Sequence, residues 1–244
     1  MGKRWIKLSN VSSTNSYVSR LLSQENLTEP VIVWADYQES GKGQGSHTWD
    51  SNRGENLLMS LLLFPAFLSA SSQFRLSMAA SLAITDTLDS VGIAAEIKWP
   101  NDILSQKGKI AGILIEHGIS GKSISHSIIG IGLNLNQVVF PKFPVPASSV
   151  LLETEKQTIP GDLAEKLVLM LEARYDTLEQ GENLSIEHDY LEKLYLINRP
   201  ARFLAKGESF EGMIRGVDEL GELQVETGGI IMTFGHGNIK LVNG

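Results

Sequence analysis

The sequence predicts an α+β fold that ends in a small all-β unit, and three observations carry that expectation. Strand-like and helix-like segments alternate as far as residue 197. Beyond Pro200 five short strands follow one another with no helix between them. The composition is that of a globular chain, with 244 residues, 42% hydrophobic and 20% charged, enough for one sizeable core with a small satellite.

The elements follow in order. Arg4–Leu8 reads as a short strand, and residues 14–24 as a helix capped by Ser12 or Ser13. Residues 31–34 are β-rich, Gln38 to Ser51 read as a long polar loop, and 56–64 as a strand. Phe74, Met78, Leu82, Leu88 and Val91 give residues 71–91 a helical period. Residues 95–99, 109–116 and 124–135 read as sheet strands. In the last of these Ile129, Ile131, Leu133 and Leu135 share one face, and Gly130, Gly132, Asn134 and Asn136 share the other. A face of glycines and amides leaves room for something to lie against it. A Pro-rich passage, 141–146, leads to helical patterns over 163–178 and 184–197. The closing strands are 202–205, 210–217, 220–226, 230–234 and 239–242, with a unit boundary near Asn198. About 45 residues in five strands are a small unit on which to rest independent stability.

Composition excludes several function classes. Lys plus Arg number 21 and Asp plus Glu 28, a net charge of −7, which argues against bulk nucleic-acid binding. There is no cysteine, so a disulfide scaffold, a thiolate nucleophile and a Cys-ligated metal are all excluded. The start of the chain lacks the apolar core of a signal peptide, and Ile6 stands where a myristoylation signal wants Ser or Thr. The longest apolar run, 57–68, is interrupted by Ser60 and Pro65 and is too short to cross ~30 Å of hydrocarbon. A soluble, cytoplasmic protein with no membrane partner is expected.

Five motifs could carry chemistry, each with a bland reading beside it. The loop Gly41-Lys-Gly-Gln-Gly-Ser-His47 fails the P-loop pattern. It fails the dinucleotide fingerprint too, because Ser46 takes the last glycine position and a strand follows. Its glycines still allow backbone N–H groups close to an anion, with Lys42 adding charge; otherwise it is a surface loop. Lys98-Trp-Pro-Asn-Asp102 reads alone as an Asn-Asp turn after an extended Trp99. Lys109, opening an apolar strand, is either a solvated edge charge or a cation for a buried carboxylate or phosphate. Gly130-Ile-Gly-Leu-Asn134 is the open face already described, and Ser13-Thr-Asn15 at a helix start reads as a capping cluster. The five histidines show no metal-ligand spacing, and no nucleophile elbow exists.

Taken in order, these motifs with Gln38, Trp49-Asp-Ser51, Gly108-Lys-Ile-Ala-Gly-Ile-Leu-Ile-Glu116 and Asn198-Arg-Pro200 resemble the biotin–protein ligases across essentially the whole chain. The most specific piece is Lys-Trp-Pro-Asn-Asp followed by Lys-x-Ala-Gly-Ile-Leu. The resemblance implies a catalytic domain over 1–197 like that of class II aminoacyl-tRNA synthetases, and an SH3-like barrel over 198–244. Because the ligase motifs begin at residue 13, a ligase-only form without the DNA-binding winged helix of some members is expected. The implied reaction joins biotin to a lysine of a biotin carboxyl carrier domain through biotinyl-5′-AMP, with ATP and Mg²⁺.

The roles come with the resemblance. Ser13, Thr14, Asn15 and Gln38 would hydrogen-bond the ureido ring of biotin, which offers two N–H donors and one carbonyl. Gly41 and Lys42 would meet biotin, and Gly43, Gln44 and Gly45 the adenylate. Lys109 would join biotin's carboxylate to the α-phosphate, and Gly112 would let the ligand approach. Trp49 would close over the adenylate, Asn134 would meet ATP, and Asn101 would position nucleotide or metal. Asp102 would hold and aim the acceptor lysine, with Lys42 and Lys109 as its catalytic companions. Mg²⁺ would be held mainly by phosphates and water, with no dedicated protein site. The family loop usually carries arginine where Gln44 stands, so one cation fewer faces the bound anion here. A monomer or homodimer is implied. Two other readings stay open, a lipoate- or octanoate-transferring relative and a non-catalytic biotin or nucleotide sensor.

Overall fold

The computed structural model describes residues 3–45, 47–142 and 145–242. Ser46 of the glycine loop, Phe143 and Pro144 of the Pro-rich passage, and the two residues at each terminus lie outside the described residues.

The first sheet has seven strands: β1 (Arg4–Leu8), β2 (Val31–Ala35), β3 (Asn56–Leu63), β4 (Glu96–Lys98), β5 (Asp102–Ser105), β6 (Gly108–Ser120) and β7 (Ser123–Asn134). Their order is β1-β2-β3-β7-β6-β5-β4. Strands β1 and β2 run parallel, joined through α1 (Thr14–Gln24), and every other neighbouring pair is antiparallel. The sheet is mixed. One face is covered by α2 (Phe74–Asp89), α4 (Pro160–Glu179) and α5 (Asn183–Lys193), which bury Leu57, Met59, Leu61 and Ile129 with them. On the other face α1 packs Val18 and Leu21 on Val31, Val33, Leu62 and Ile128. Strand periodicity explains the split, because successive β3 residues point to opposite sides.

The second sheet comprises β8 (Pro200–Ala205), β9 (Glu208–Val217), β10 (Leu223–Thr227), β11 (Ile230–Phe234) and β12 (Ile239–Val242), in the order β11-β10-β9-β8-β12 and antiparallel throughout. It shares a core with the first. Phe203, Ile214 and Leu223 belong to the same buried cluster as Ile97, Tyr190 and Leu194. Trp99 adds a polar tie, its indole N–H donating to the Gly221 carbonyl at 2.9 Å.

The structure departs from the sequence expectation in three places. β5 stands where only a turn was expected. Its four residues bury Ile103 alone, so it carries no pattern of its own and is held by its neighbours β4 and β6. A short helix α3 (Val150–Thr154), capped by the Ser149 hydroxyl, follows the Pro-rich passage. And α5 stops at Lys193 rather than continuing to 197. Tyr195 N–H donates to Ile97 O, and Leu196 and Asn198 have positive φ, which no helix continues.

Candidate active site

The α1 face of the sheet is left open beyond that helix, and the reason lies in three cross-strand rows. Row by row, Leu58 pairs with Gly132 and Gly132 with Gly112, which pairs with Asp102; Ser60 pairs with Gly130 and Gly130 with Leu114; Leu62 pairs with Ile128 and Ile128 with Glu116. Glycines at 112, 130 and 132 therefore make a depression in an otherwise filled surface. It is the floor of a cavity of about 780 Å³, whose far wall is built from the C-terminal sheet by His236, Gly237 and Lys240.

At one side the start of α1 presents a buried polar cluster. Ser13 is the N-cap but its side chain caps nothing. The cap comes instead from the loop after β2. Gln38 Oε1 accepts from Thr14 N (2.7 Å) and from the Thr14 hydroxyl (3.0 Å), which satisfies a donor the helix end leaves unpaired. The Ser60 hydroxyl lies 2.8 Å from Thr14 Oγ1 and 2.6 Å from Asn15 Oδ1. Ser13, Thr14 and Asn15 are each 3% exposed, and all line the cavity with Gln38.

At the other side lie Lys109 and Asp102, with Nζ and Oδ1 2.5 Å apart and both side chains partly exposed. A β-bulge places the lysine. Between Ile103 and Leu104 the β5–β6 register shifts, so Leu104 faces Lys109 while Ile103 faces Ala111. The extra residue turns Lys109 to the same side as Gly112, three positions on, which strict alternation forbids. A second clamp comes from the segment before α3, where Lys109 N donates to Pro146 O (2.7 Å) and Ser148 N to Lys109 O (2.8 Å). Asn134 completes it, its Nδ2 donating to Ser148 O at 2.9 Å. Asn101 is tied likewise. Its Nδ2 donates to Ile113 O (2.8 Å) and its main-chain carbonyl accepts from Ile113 N (3.0 Å), which leaves the side-chain oxygen and the second amide hydrogen over.

Between the two sides lies Trp49. The loop that carries it is a tight hairpin rather than a loose surface loop. Gly43 N donates to His47 O (2.8 Å), Trp49 N donates to Gly41 O (2.9 Å), and Lys42 bridges Thr48. Gly45 takes φ +64° at its tip, a left-handed conformation suited to glycine. The Trp49 ring rests on the glycine floor. A Cβ on Gly132 would collide with it, and one on Gly112 would come within 2.8 Å. Lys109 Nζ sits 5.5 Å from the ring centroid, in cation–π range. Among the described residues, the Trp49 indole N–H and the Gln44 side-chain oxygen are both buried without a hydrogen-bond partner. Burial without a hydrogen bond is costly.

Of the residues singled out in the sequence, one stands apart. Gly41 does not line the main cavity; it packs against the Trp49 carbonyl and faces a second hollow of about 560 Å³ behind the loop. The others share the main wall. Two further contributors went unread in the sequence. Ser60 sits mid-strand in an apolar run, and Glu116, quoted only as the end of a motif, accepts from Asn15 Nδ2 at 2.8 Å. The partners lie 45 and 101 positions from Asn15, distances at which spacing carries no signal.

Residues 8–134 match the family described as biotin/lipoate A/B protein ligase. The chain belongs to that family. Among its relatives, this family member is 30% identical over 231 residues to the bifunctional ligase/repressor of Bacillus spizizenii, a match that covers 93% of this chain and 70% of the relative. It is 27% identical over 248 residues to the biotin–[acetyl-CoA-carboxylase] ligase of Mycobacterium tuberculosis, covering 98% and 90%. Its fold is shared with the biotin protein ligase from Aquifex aeolicus in complex with biotin and ATP, with a TM-score of 0.81, 23% identity and 99% of both chains covered. The mixed sheet with a separate five-stranded antiparallel sheet is thus the ligase fold.

Proposed function

We propose that this chain is an ATP-dependent biotin–protein ligase, acting in the cytoplasm as a monomer or homodimer on the biotin carboxyl carrier domain of a carboxylase. One observation carries the reading. A buried, uncharged hydroxyl-and-amide cluster and a lysine–carboxylate pair flank a glycine floor within a single cavity. The cluster suits a cyclic urea, which is polar and neutral, and the lysine suits two anions that must meet.

In the first step a carboxylate oxygen of biotin attacks the α-phosphorus of ATP and pyrophosphate leaves. Lys109 neutralises both oxyanions, and the Gly43–Gly45 backbone with Lys42 surrounds the phosphate. Mg²⁺ would accompany ATP, held by phosphates and water, and would offset the charge on the leaving pyrophosphate. In the second step the carrier's lysine nitrogen attacks the biotinyl carbonyl and AMP leaves with the bonding electrons. Asp102 receives the incoming ammonium as Lys109 turns to the adenylate, the ammonium gives a proton to solvent water, Asp102 aims the free amine, and the second proton leaves to water as the amide forms. We assign residues 1–197 to the catalytic domain and 198–244 to an SH3-like barrel that walls the nucleotide side.

Incubation with ATP, Mg²⁺, biotin and a carrier domain, followed by intact-mass measurement, tests the reading. One biotinyl group per carrier, dependent on ATP, is expected. Uptake of lipoate or octanoate in place of biotin, or biotin binding without pyrophosphate exchange, overturns it in favour of the acyl-ligase or the sensor alternative.

A further inference from the structure

We propose that Glu116 is a positioning residue: from outside the cavity it sets the orientation of the Asn15 side-chain amide, and through it the affinity for the ureido ring. The inference rests on the biotin reading above.

Glu116 is exposed and does not line the cavity, yet its Oε2 lies 2.8 Å from Asn15 Nδ2. The same nitrogen faces Leu114 O at 3.3 Å. An ionised carboxylate and a backbone carbonyl can only accept. Facing two acceptors, the amide must turn its NH₂ toward β6 and its oxygen away. That oxygen meets the Ser60 hydroxyl at 2.6 Å and lies over Gly130, where any Cβ would strike it.

Gln38 is set the opposite way. Its oxygen takes both donors of Thr14, which leaves its NH₂ as the available end. Asn15 thus offers an acceptor and Gln38 a donor. A cyclic urea needs both, an acceptor for its N–H and a donor for its carbonyl. A flipped Asn15 would set NH₂ against N–H, a donor–donor clash. Glu116 is suited to prevent the flip at little cost. Its charge stays in water while the amide it holds is buried, so no desolvated charge offsets the gain.

The test is a double-mutant cycle on biotin affinity by calorimetry, with Glu116→Ala, Asn15→Ala and the double variant. Glu116→Ala is expected to weaken biotin about tenfold, the size of one charge-assisted hydrogen bond. It should raise KM for biotin in pyrophosphate exchange and leave kcat near its original value. In the Asn15→Ala background the same change should cost nothing further. Glu116→Gln, which keeps an acceptor oxygen and stands in if the alanine variant does not fold, should recover most of the affinity. Additive losses, or unaltered affinity in Glu116→Ala, overturn this inference alone. A wild-type chain that binds no biotin overturns the proposed function and this inference with it.

Discussion

Lys109 and Asp102 neutralise one another at 2.5 Å, and this pairing decides how each should fail when replaced. In the proposed mechanism, Lys109→Ala removes the cation that lets two anions approach. Pyrophosphate release is expected to fall by about 10² or more, roughly 2.7 kcal/mol of transition-state stabilisation. Asp102→Asn keeps the short strand but not the charge, so single-turnover transfer from preformed adenylate should slow far more than adenylation does. Equal losses in both steps would place Asp102 with the nucleotide instead. Gln44 is the other residue on which the proposed mechanism can be tested. Arg53 is engaged off the cavity wall, donating to Ser9 O at 3.0 Å and lying over Tyr37 at 4.8 Å. Gln44→Arg is therefore expected to slow adenylate escape about tenfold, the worth of ~1.4 kcal/mol from a charge-assisted contact. Rapid-mixing measurement of the off-rate checks it, and equal rates would show Lys42 to suffice. At this scale Lys109, Asp102 and the Ser13–Asn15 run were legible because they sit in contiguous motifs. Ser60 and Glu116 were not, because only the strand pairing brings them to Asn15.

Elements were legible where a period ran long enough to register. The helices α2 and α4 and the strand β7 each repeat a pattern over twelve residues or more, and β7 also announced its glycine face. What the sequence hid was the bulge between β5 and β6. A register shift leaves no mark on composition, yet without it Lys109 would point to the helical side. The β6–β7 hairpin has a pH signature as well. His117 Nδ1 pairs with the Ser127 hydroxyl at 2.8 Å, and burial, with the nearby His126 second, holds its pKa below the ordinary 6.5. The unfolded chain then binds the proton more readily than the folded one. Stability from this group is complete above about pH 6.5 and is lost as the pH falls through the folded-state value. Urea midpoints of the wild type and His117→Asn should accordingly diverge between neutral pH and pH 5, with the variant less sensitive. Parallel curves would assign the acid sensitivity to other groups.

At the scale of the whole molecule, the change of strand density near Asn198 is visible in the sequence, but the union of the two sheets is not. Composition cannot show that Phe203, Ile214 and Leu223 join Ile97, Tyr190 and Leu194 in one buried cluster, nor that Trp99 reaches Gly221. The shared cavity wall follows from that union, and it bears on how the protein melts. Because the buried side chains of the C-terminal sheet belong to the main cluster among the described residues, the chain should lose both sheets in a single calorimetric transition. A small molecule held in the cavity then braces the entire chain, by about 2.7 kcal/mol at a concentration one hundred times its Kd. Heating curves taken with biotin, with ATP and with both become a titration of the cavity, and two separated peaks would mean that the C-terminal sheet melts on its own.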